Sequence, residues 1–391
     1  MKKICHISSV HRGLDIRIFR KECISLANAG YDTHLVIDAS AADIAEAATH
    51  GVTVHPVAPD MGGGRLSRMI AHTRRCYQTA RELDAHLYHF HDPELIPYGV
   101  MLARAGKKVI FDAHEDLVGD IHAKDWVPVR ARRAVAAVAG AVQDFGARRF
   151  SAVVAATPFI GSLFVNLAKR VVVVNNFPLL HELPPARDVD VSERAGVCYV
   201  GSIHKHRGIR EMVKAIGLSD EELLLAGDFQ AGPLRDEVTG YGGWRQVREC
   251  GVVDRKGIAD IMAQSFAGMV IFHPVPNFIN AQPIKMFEYM SAGVPVIASD
   301  FPLWREFIEG NQCGICVDHA RPEAIAAAIR HLRAHPEDVI RMGTNGKRAT
   351  AEKYRWDLEE TKLLSLYSTL LEERQRGRSL SDADDQRLFE A

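Results

Sequence analysis

Lys285 and Glu288 stand three residues apart in the stretch NAQPIKMFEYMSAGVPVIASDFP, residues 280–302. Pro283 suits the first position of a helix, because it has no N–H to lose there. Ile284, Phe287 and Ser291 fall on one face at helical spacing, Gly293 ends the segment, and VPVIAS reads as a buried strand. A core-forming αβ unit accounts for these residues but not for Lys285. A cation in the first turn opposes the helix dipole, at about 0.3–1 kcal/mol. The placement turns favourable when an anion sits at the helix N-terminus, where free N–H groups point outward. Lys285 and Glu288 share a face. Together with the free amides they match a nucleoside diphosphate, with phosphates at the lysine and amides and two ribose hydroxyls on the carboxylate. An exposed ion pair has the same spacing.

A second cation stands at a helix start in YVGSIHKHRGIREMVKAI, residues 199–216. Gly201 admits a ligand close to the backbone, and Arg207 precedes Gly208 with the geometry for bidentate phosphate contact. A solvated basic loop is the plain alternative, but two anti-dipole cations in one half of the chain favour an anion site. In the first half, YHFHDPEL ends in His91-Asp92-Pro93, and VIFDAHEDL ends in Asp112-Ala113-His114-Glu115-Asp116. Acidic and imidazole groups beyond two strand ends are costly as core and suit a polar site.

Short β-branched runs alternate with helical patterns along the whole chain, which predicts βαβ units and parallel sheets. In the first half, strands are expected at Lys3–Ser9, Tyr31–Ile37, Val52–Pro56, Ala85–Phe90, Lys108–Phe111, Ala152–Ala155 and Arg170–Val174, with a helix over Ile16–Ala29. The pattern restarts at Gly196, with helices over Gly208–Ile216, Ile258–Ser265 and Pro283–Ser291. The reading is α/β: two Rossmann-like, doubly wound domains, 1–178 and 196–354, joined by a Pro-Pro-containing linker, 179–195. A Leu-faced helix, 355–371, and a polar, frayed tail, 372–391, close the chain. Such domains bind ligands at the carboxyl ends of their strands, which places the site in a cleft between them.

The two segments with paired cations resemble the donor-binding half of retaining glycosyltransferases of the two-Rossmann (GT-B) type, sequence family 4. The family phrase after the strand is G-R-L-x-x-x-K-G, and this chain has Gly201-Ser202-Ile203-His204-Lys205-His206-Arg207-Gly208. Arg207 stands for the usual lysine, whereas Ser202 replaces an arginine and carries no charge. Of the family's two glutamates seven residues apart, the second matches Glu288 and the first falls on Asn280. The resemblance runs along nearly the whole chain. It implies that the terminal helix packs back on the first domain. It further implies donor contacts from Gly13, Gly201, Ser202, Asn280, Ala281, Gln282 and Glu288, with Glu288 on the ribose. His114 matches a histidine beside the transferred sugar and joins Arg207 and Lys285 as catalytic residues; His91 and Asp92 are the acceptor contacts. Retention by same-face attack, with the departing phosphate taking the acceptor's proton, is the implied chemistry.

Composition narrows the classes further. With 391 residues, 47% hydrophobic and 25% charged, and a net charge of −1, the chain is a globular protein with no overall electrostatic case for nucleic acid. MKKICHISSV runs straight into a strand rather than a signal peptide, and no apolar run reaches membrane-span length, so a cytoplasmic protein is expected. Seven cysteines at scattered spacings read as reduced thiols, including Cys313-Gly-Ile-Cys316. The H-x-H pairs His89/His91 and His204/His206 lack a third ligand at a recognisable spacing. Asp188-Val-Asp190 and Asp382-Ala-Asp384 fall in linker and tail, so no metal is expected to neutralise the leaving diphosphate. Arginines cluster at Arg65, Arg68, Arg74, Arg75 and Arg81 and again at Arg130, Arg132, Arg133, Arg148 and Arg149. Such runs suit either solvated helix faces or an anionic membrane carrying a lipid-linked acceptor. A GT-B epimerase, which needs no acceptor surface, and a silent sugar-nucleotide binding protein are the competing readings. The absence of G-x-G-x-x-G after the first strand disfavours a dinucleotide enzyme.

Overall fold

The computed structural model describes residues 1–59, 64–123, 127–180 and 189–388, apart from the side chains at 65, 66, 123, 192 and beyond 372. It divides into one unit of Met1–Asn176 with Asp357–Ala391 and a second of Phe177–Trp356. Each unit is built on one parallel sheet with helical crossovers.

The first unit orders its strands β3-β2-β1-β4-β5-β6-β7. These are β1 (Lys3–Arg12), β2 (Asp32–Asp38), β3 (Val52–Pro56), β4 (Leu87–Phe90), β5 (Lys108–Ala113), β6 (Ala152–Ala155) and β7 (Val171–Val173). Strand alternation separates two faces. Cys5, Ile7, Tyr88, Phe90 and Phe111 form an apolar core on the side of helices α2 (Arg65–Glu82), α3 (Ile96–Arg104) and α4 (Val129–Ala147). The opposite face presents His6, His89 and Asp112 to the helix after β1 and to the C-terminal helix. That first helix, α1, opens as a π-helix over Ile16–Cys23 and continues as α over Ile24–Asn28. Asp15 caps it, accepting from the amides of Arg17 and Ile18 at 2.8 and 2.9 Å. The C-terminal helix, Trp356–Leu388, belongs to this unit. It runs past residue 371, where a frayed tail was expected; no proline interrupts 372–388.

The second unit orders its strands β10-β9-β8-β11-β12-β13. They span Gly196–Val200 (β8), Glu222–Ala226 (β9), Val247–Gly251 (β10), Ser265–Val270 (β11), Val296–Ser299 (β12) and Gly314–Val317 (β13). Both faces of the inner strands are covered, so β8 is apolar throughout: Val197 and Tyr199 point into one core, Cys198 and Val200 into the other. Helix α5 (Ile209–Ser219) follows β8, and α6 (Ile284–Ala292) precedes β12. Pro283 is the N-cap of α6 rather than its first residue. In each unit the strand order reverses beside one strand, β1 or β8, and the crevice at such a switch point is where doubly wound folds bind ligands.

Candidate active site

The loop after β8 and the start of α6 meet at the switch point of the second unit. Gly201 has φ +121°, and a Cβ there would lie 3.0 Å from Lys285 Nζ. Gly208, at φ +68°, approaches so closely that a Cβ would meet the Ile271 carbonyl oxygen at 2.0 Å. This glycine turns the basic loop into α5 and aims Arg207 back across the strand end. Arg207 Nη1 donates to Ser202 Oγ at 2.6 Å, and its guanidinium lies 5.5 Å from the Phe272 ring. Lys285 Nζ sits 3.7 Å from the Tyr199 ring centroid and 5.6 Å from that of Phe272. It is enclosed without a hydrogen-bond partner among the described residues. Burial, then the Arg207 charge, hold the Lys285 ammonium well below its ordinary pKa, against the opposing pull of Glu288. No side chain caps α6. Two cations, an uncapped helix start and a bare glycine backbone thus converge on one spot.

Glu288 lies one turn deeper and is 6% exposed; its Oε1 accepts from Arg255 Nη1 at 2.9 Å. The Arg255 partnership was invisible in the sequence, where nothing links the helix Arg255–Ala263 to Glu288. The Ala281 carbonyl accepts from Trp304 Nε1 at 2.8 Å, which ties down the segment leading to α6. Gln282 Oε1 is enclosed without a partner among the described residues, and Asn280 is half-buried beside it. Burial and the nearby cations, Arg207 first, lower His204 to about 4, so this imidazole is neutral at pH 7.

The first unit gathers a polar seam at the carboxyl ends of β1, β4 and β5. Arg17 is its centre: Nε and Nη2 donate to the two oxygens of Asp112, both at 2.9 Å, and Nη1 donates to the Val174 carbonyl at 2.8 Å. Arg17 Nε also lies 3.1 Å from Glu22 Oε1. Burial alone would raise Asp112, but Arg17, His114 and His91 hold it well below the usual carboxylate range. Burial and the Asp112 charge push Glu22 well above that range despite Arg17. Burial keeps His6, His89 and His91 neutral. Tyr367 of the C-terminal helix bonds His89 Nδ1 at 2.8 Å and His6 Nε2 at 2.9 Å. His6 Nδ1 meets His91 Nε2 at 2.9 Å, and His91 Nδ1 meets His114 Nε2 at 3.3 Å. His114 Nε2 is 3.1 Å from Asp112 Oδ2, close enough to donate to it.

One family model, glycosyl transferases group 1, matches residues 194–335, and a second, glycosyl transferase 4-like domain, matches 18–176. Between them they take in the whole second sheet and β2 to β7 of the first. The chain belongs to the GT-B glycosyltransferases of the family-4 type. An alpha-D-kanosaminyltransferase of Streptomyces kanamyceticus is 27% identical over 197 residues, 46% of this chain and 49% of the relative. The chain thus spans about half the length of that curated relative. Sucrose-phosphate synthase from Thermosynechococcus elongatus shares the fold at a TM-score of 0.77 with 18% identity, over 95% of this chain and 100% of that one. Anabaena HepE, solved with UDP-glucose, shares it at 0.71 with 16% identity, over 94% and 100%.

Against this GT-B frame, several expected contacts move. Gly13, at φ +58°, donates its amide to the Asp38 carbonyl at 2.7 Å, so that amide is not free for a phosphate. His91 and Asp92, expected as acceptor contacts, are only 2% and 3% exposed. Asp92 Oδ2 accepts from Ser8 Oγ and from the amides of Ser9 and Val10 at 2.8, 2.6 and 3.2 Å, and so fastens the carboxyl end of β1. Burial opposes its ionisation, yet His11 and these donors lower it to about 2. The partly exposed groups are His114, at 20%, and His11, at 29% and 3.2 Å from Asp92 Oδ1. Sequence reasoning missed His11, although SSVHRG does place an imidazole just beyond a strand end.

Two groups of described residues, His6/Glu22/His89/His91 and His91/Asp112/His114, have side-chain atoms close enough to surround a metal ion. They fit one poorly. The Arg17 guanidinium already supplies the cation between Glu22 and Asp112, and the 2.9 Å between His6 and His91 is a hydrogen bond. Burial raises Cys313 and Cys316 to about 12, which leaves them unreactive thiols. Among the arginines, Arg68, Arg130 and Arg133 are exposed, whereas Arg132 donates to the carbonyls of Val127 and His122 at 3.0 and 3.2 Å. The Arg65 side chain, Asp188 and the side chains of Asp382 and Asp384 lie outside the described residues. No described helix is long and apolar enough to cross a membrane.

Proposed function

We propose that this chain transfers a sugar from a nucleoside-diphosphate donor to a hydroxyl of a glycan or lipid-linked acceptor, with retention at the anomeric carbon and without a metal. The observation that carries the reading is the enclosed ammonium of Lys285, without a hydrogen-bond partner among the described residues, beside Gly201 and Arg207. An isolated buried cation is unfavourable in a resting protein and favourable once a diphosphate neutralises it. Lys285, Arg207 and the α6 amides bind the pyrophosphate and stabilise the charge that builds on it as the glycosidic bond breaks. Glu288, oriented by Arg255, accepts from the ribose hydroxyls. Gln282 and Asn280 contact the sugar. The leaving phosphate oxygen, on the same face as the incoming hydroxyl, takes the acceptor's proton. HepE, solved with UDP-glucose, makes uridine diphosphate sugars the first donors to try.

A thermal-shift panel of UDP-, GDP- and ADP-sugars tests the reading. A donor at 100 times its dissociation constant adds about 2.7 kcal/mol of stability. Lys285→Ala and Arg207→Ala should each lower turnover by orders of magnitude while the protein stays folded. Wild-type turnover by a folded double variant sinks the proposal. Donor consumption with no acceptor present would favour an epimerase instead.

A further inference from the structure

Lys285 has chemistry that holding a diphosphate leaves unused. Its stem is half-buried, whereas its Nζ is enclosed and has no hydrogen-bond partner among the described residues. Lys21 shows how a buried lysine is ordinarily satisfied: its Nζ donates to the Asn176 side-chain oxygen at 2.6 Å and to the Asn176 carbonyl at 3.3 Å. Around Lys285 Nζ stand instead the Tyr199 ring at 3.7 Å, the Phe272 ring at 5.6 Å and the bare backbone of Gly201.

An amine is a nucleophile only in its uncharged form, and apolar surroundings or a second cation favour that form. Lys285 has both. The Arg207 guanidinium lies 5.5 Å from the same Phe272 ring that Lys285 faces. The titratable groups around Nζ are Arg207 and His204 from the loop after β8, Cys198 and Tyr199 from β8, and Glu288 from α6. Burial first and Arg207 second favour the free amine, and Glu288 and Cys198 oppose them without prevailing. By comparison, only about one ordinary lysine in 2,500 is uncharged at pH 7. The same spot anchors a phosphate through the Arg207 guanidinium and the uncapped start of α6.

We infer that Lys285 is a site of reversible covalent capture by small phosphorylated aldehydes, and that capture closes the donor site. The inference rests on the transferase reading for its phosphate anchor and adds a reaction to it. The Nζ lone pair attacks the carbonyl carbon to give a carbinolamine. Water then leaves, made of the carbonyl oxygen and the two amine hydrogens, and a C=N bond joins Nζ to the ligand. Nothing is oxidised or reduced. Arg207 and the α6 amides hold the phosphate throughout.

The test incubates the full chain with pyridoxal 5′-phosphate at neutral pH, traps the imine with borohydride and locates it by peptide mass spectrometry. Lys285 should be the first lysine labelled. Pyridoxal, which lacks the phosphate, should label it at least roughly tenfold more slowly, and inorganic pyrophosphate should protect it. Lys285→Met should remove the rapid adduct; Lys285→Arg, which keeps the charge but forms no such imine, serves should methionine disturb the fold. The inference is overturned by a Lys285 that stays unmodified while exposed lysines react, by pyridoxal labelling as fast as its phosphate, or by pyrophosphate that gives no protection. Labelling needs no sugar nucleotide. A chain captured at Lys285 but shifted by no sugar nucleotide keeps this inference and loses the transferase reading. One stabilised by a donor but never captured does the reverse.

Discussion

Replacing Lys285 with methionine should make the free protein more stable and the donor complex far weaker. The ammonium is enclosed and has no hydrogen-bond partner among the described residues, a situation that costs about 1–3 kcal/mol. Its contact with the Tyr199 ring at 3.7 Å offsets about 0.5–2 kcal/mol of that. Methionine keeps the volume and flexibility of the chain without the charge. The net gain is about 1 kcal/mol, a rise in melting temperature of about 2–4 °C. Donor binding loses a charge-assisted hydrogen bond worth about 1.5–3 kcal/mol, so the dissociation constant rises about 10- to 150-fold. Protonation adds a signature. Burial and Arg207 hold the folded pKa of Lys285 well below its unfolded value. Between those two values the unfolded chain binds more protons, so the stability of the free protein rises with pH through that window. A bound diphosphate opposes that shift, and titration calorimetry in two buffers of different ionisation enthalpy reads the proton uptake that goes with it. Lys285→Met should abolish that uptake. A variant that melts several degrees below wild type, or binds donor as wild type does, refutes the reasoning.

Asp112→Asn leaves Arg17 buried beside a Glu22 that resists ionisation, and should destabilise the protein by about 3–5 kcal/mol in urea titrations. The wild-type contribution of Asp112 is present above its unfolded pKa and fades as pH falls through the depressed folded value. Glu22, whose folded pKa is raised, contributes in the opposite sense: its stabilisation is present at low pH and lost as pH climbs through the folded value. Glu22→Gln should therefore remove that loss from the stability profile. Gly208→Ala drives a Cβ to 2.0 Å from the Ile271 carbonyl at φ +68° and should cost about 2 kcal/mol or more in thermal unfolding. His204, held at about 4 by burial and its cationic neighbours, should titrate upward toward 6.5 once a nucleoside diphosphate neutralises them; an unmoved ring resonance in an NMR titration would place the anion elsewhere.

Much of the cation cluster in the second unit was legible because its logic is local. Lys285, Glu288 and Arg207 are set by helix starts, and a helix start is a matter of a few consecutive residues. Glycines with positive φ at 201 and 208 declare themselves in the same way. The first half misled where chemistry depends on partners distant in sequence. Asp92 looks like a free acid beyond a strand end, yet it serves the carboxyl end of β1 because parallel pairing of β1 with β4 puts Ser8 and Ser9 beside it. His91 is enclosed for a related reason: it lies between His6, on β1, and Asp112, on β5. Arg17 stands just beyond the first strand in the sequence, and α1 turns it into the protein to pair with Asp112.

By itself, then, the order of residues determined the alternation of strands and helices, the restart at Gly196 and the two cations at helix starts, since each depends on periodicity or on neighbours within a few positions. Only the tertiary structure decided which polar groups stay open. It buried Arg17, His91 and Asp92 and left His114 and His11 partly exposed. It gave Glu288 its Arg255 and left the Lys285 ammonium without a hydrogen-bond partner among the described residues. Whether a charge is satisfied depends on what the folded chain carries to within about 3 Å of it, and residues hundreds of positions apart, such as His6 and Tyr367, settle that.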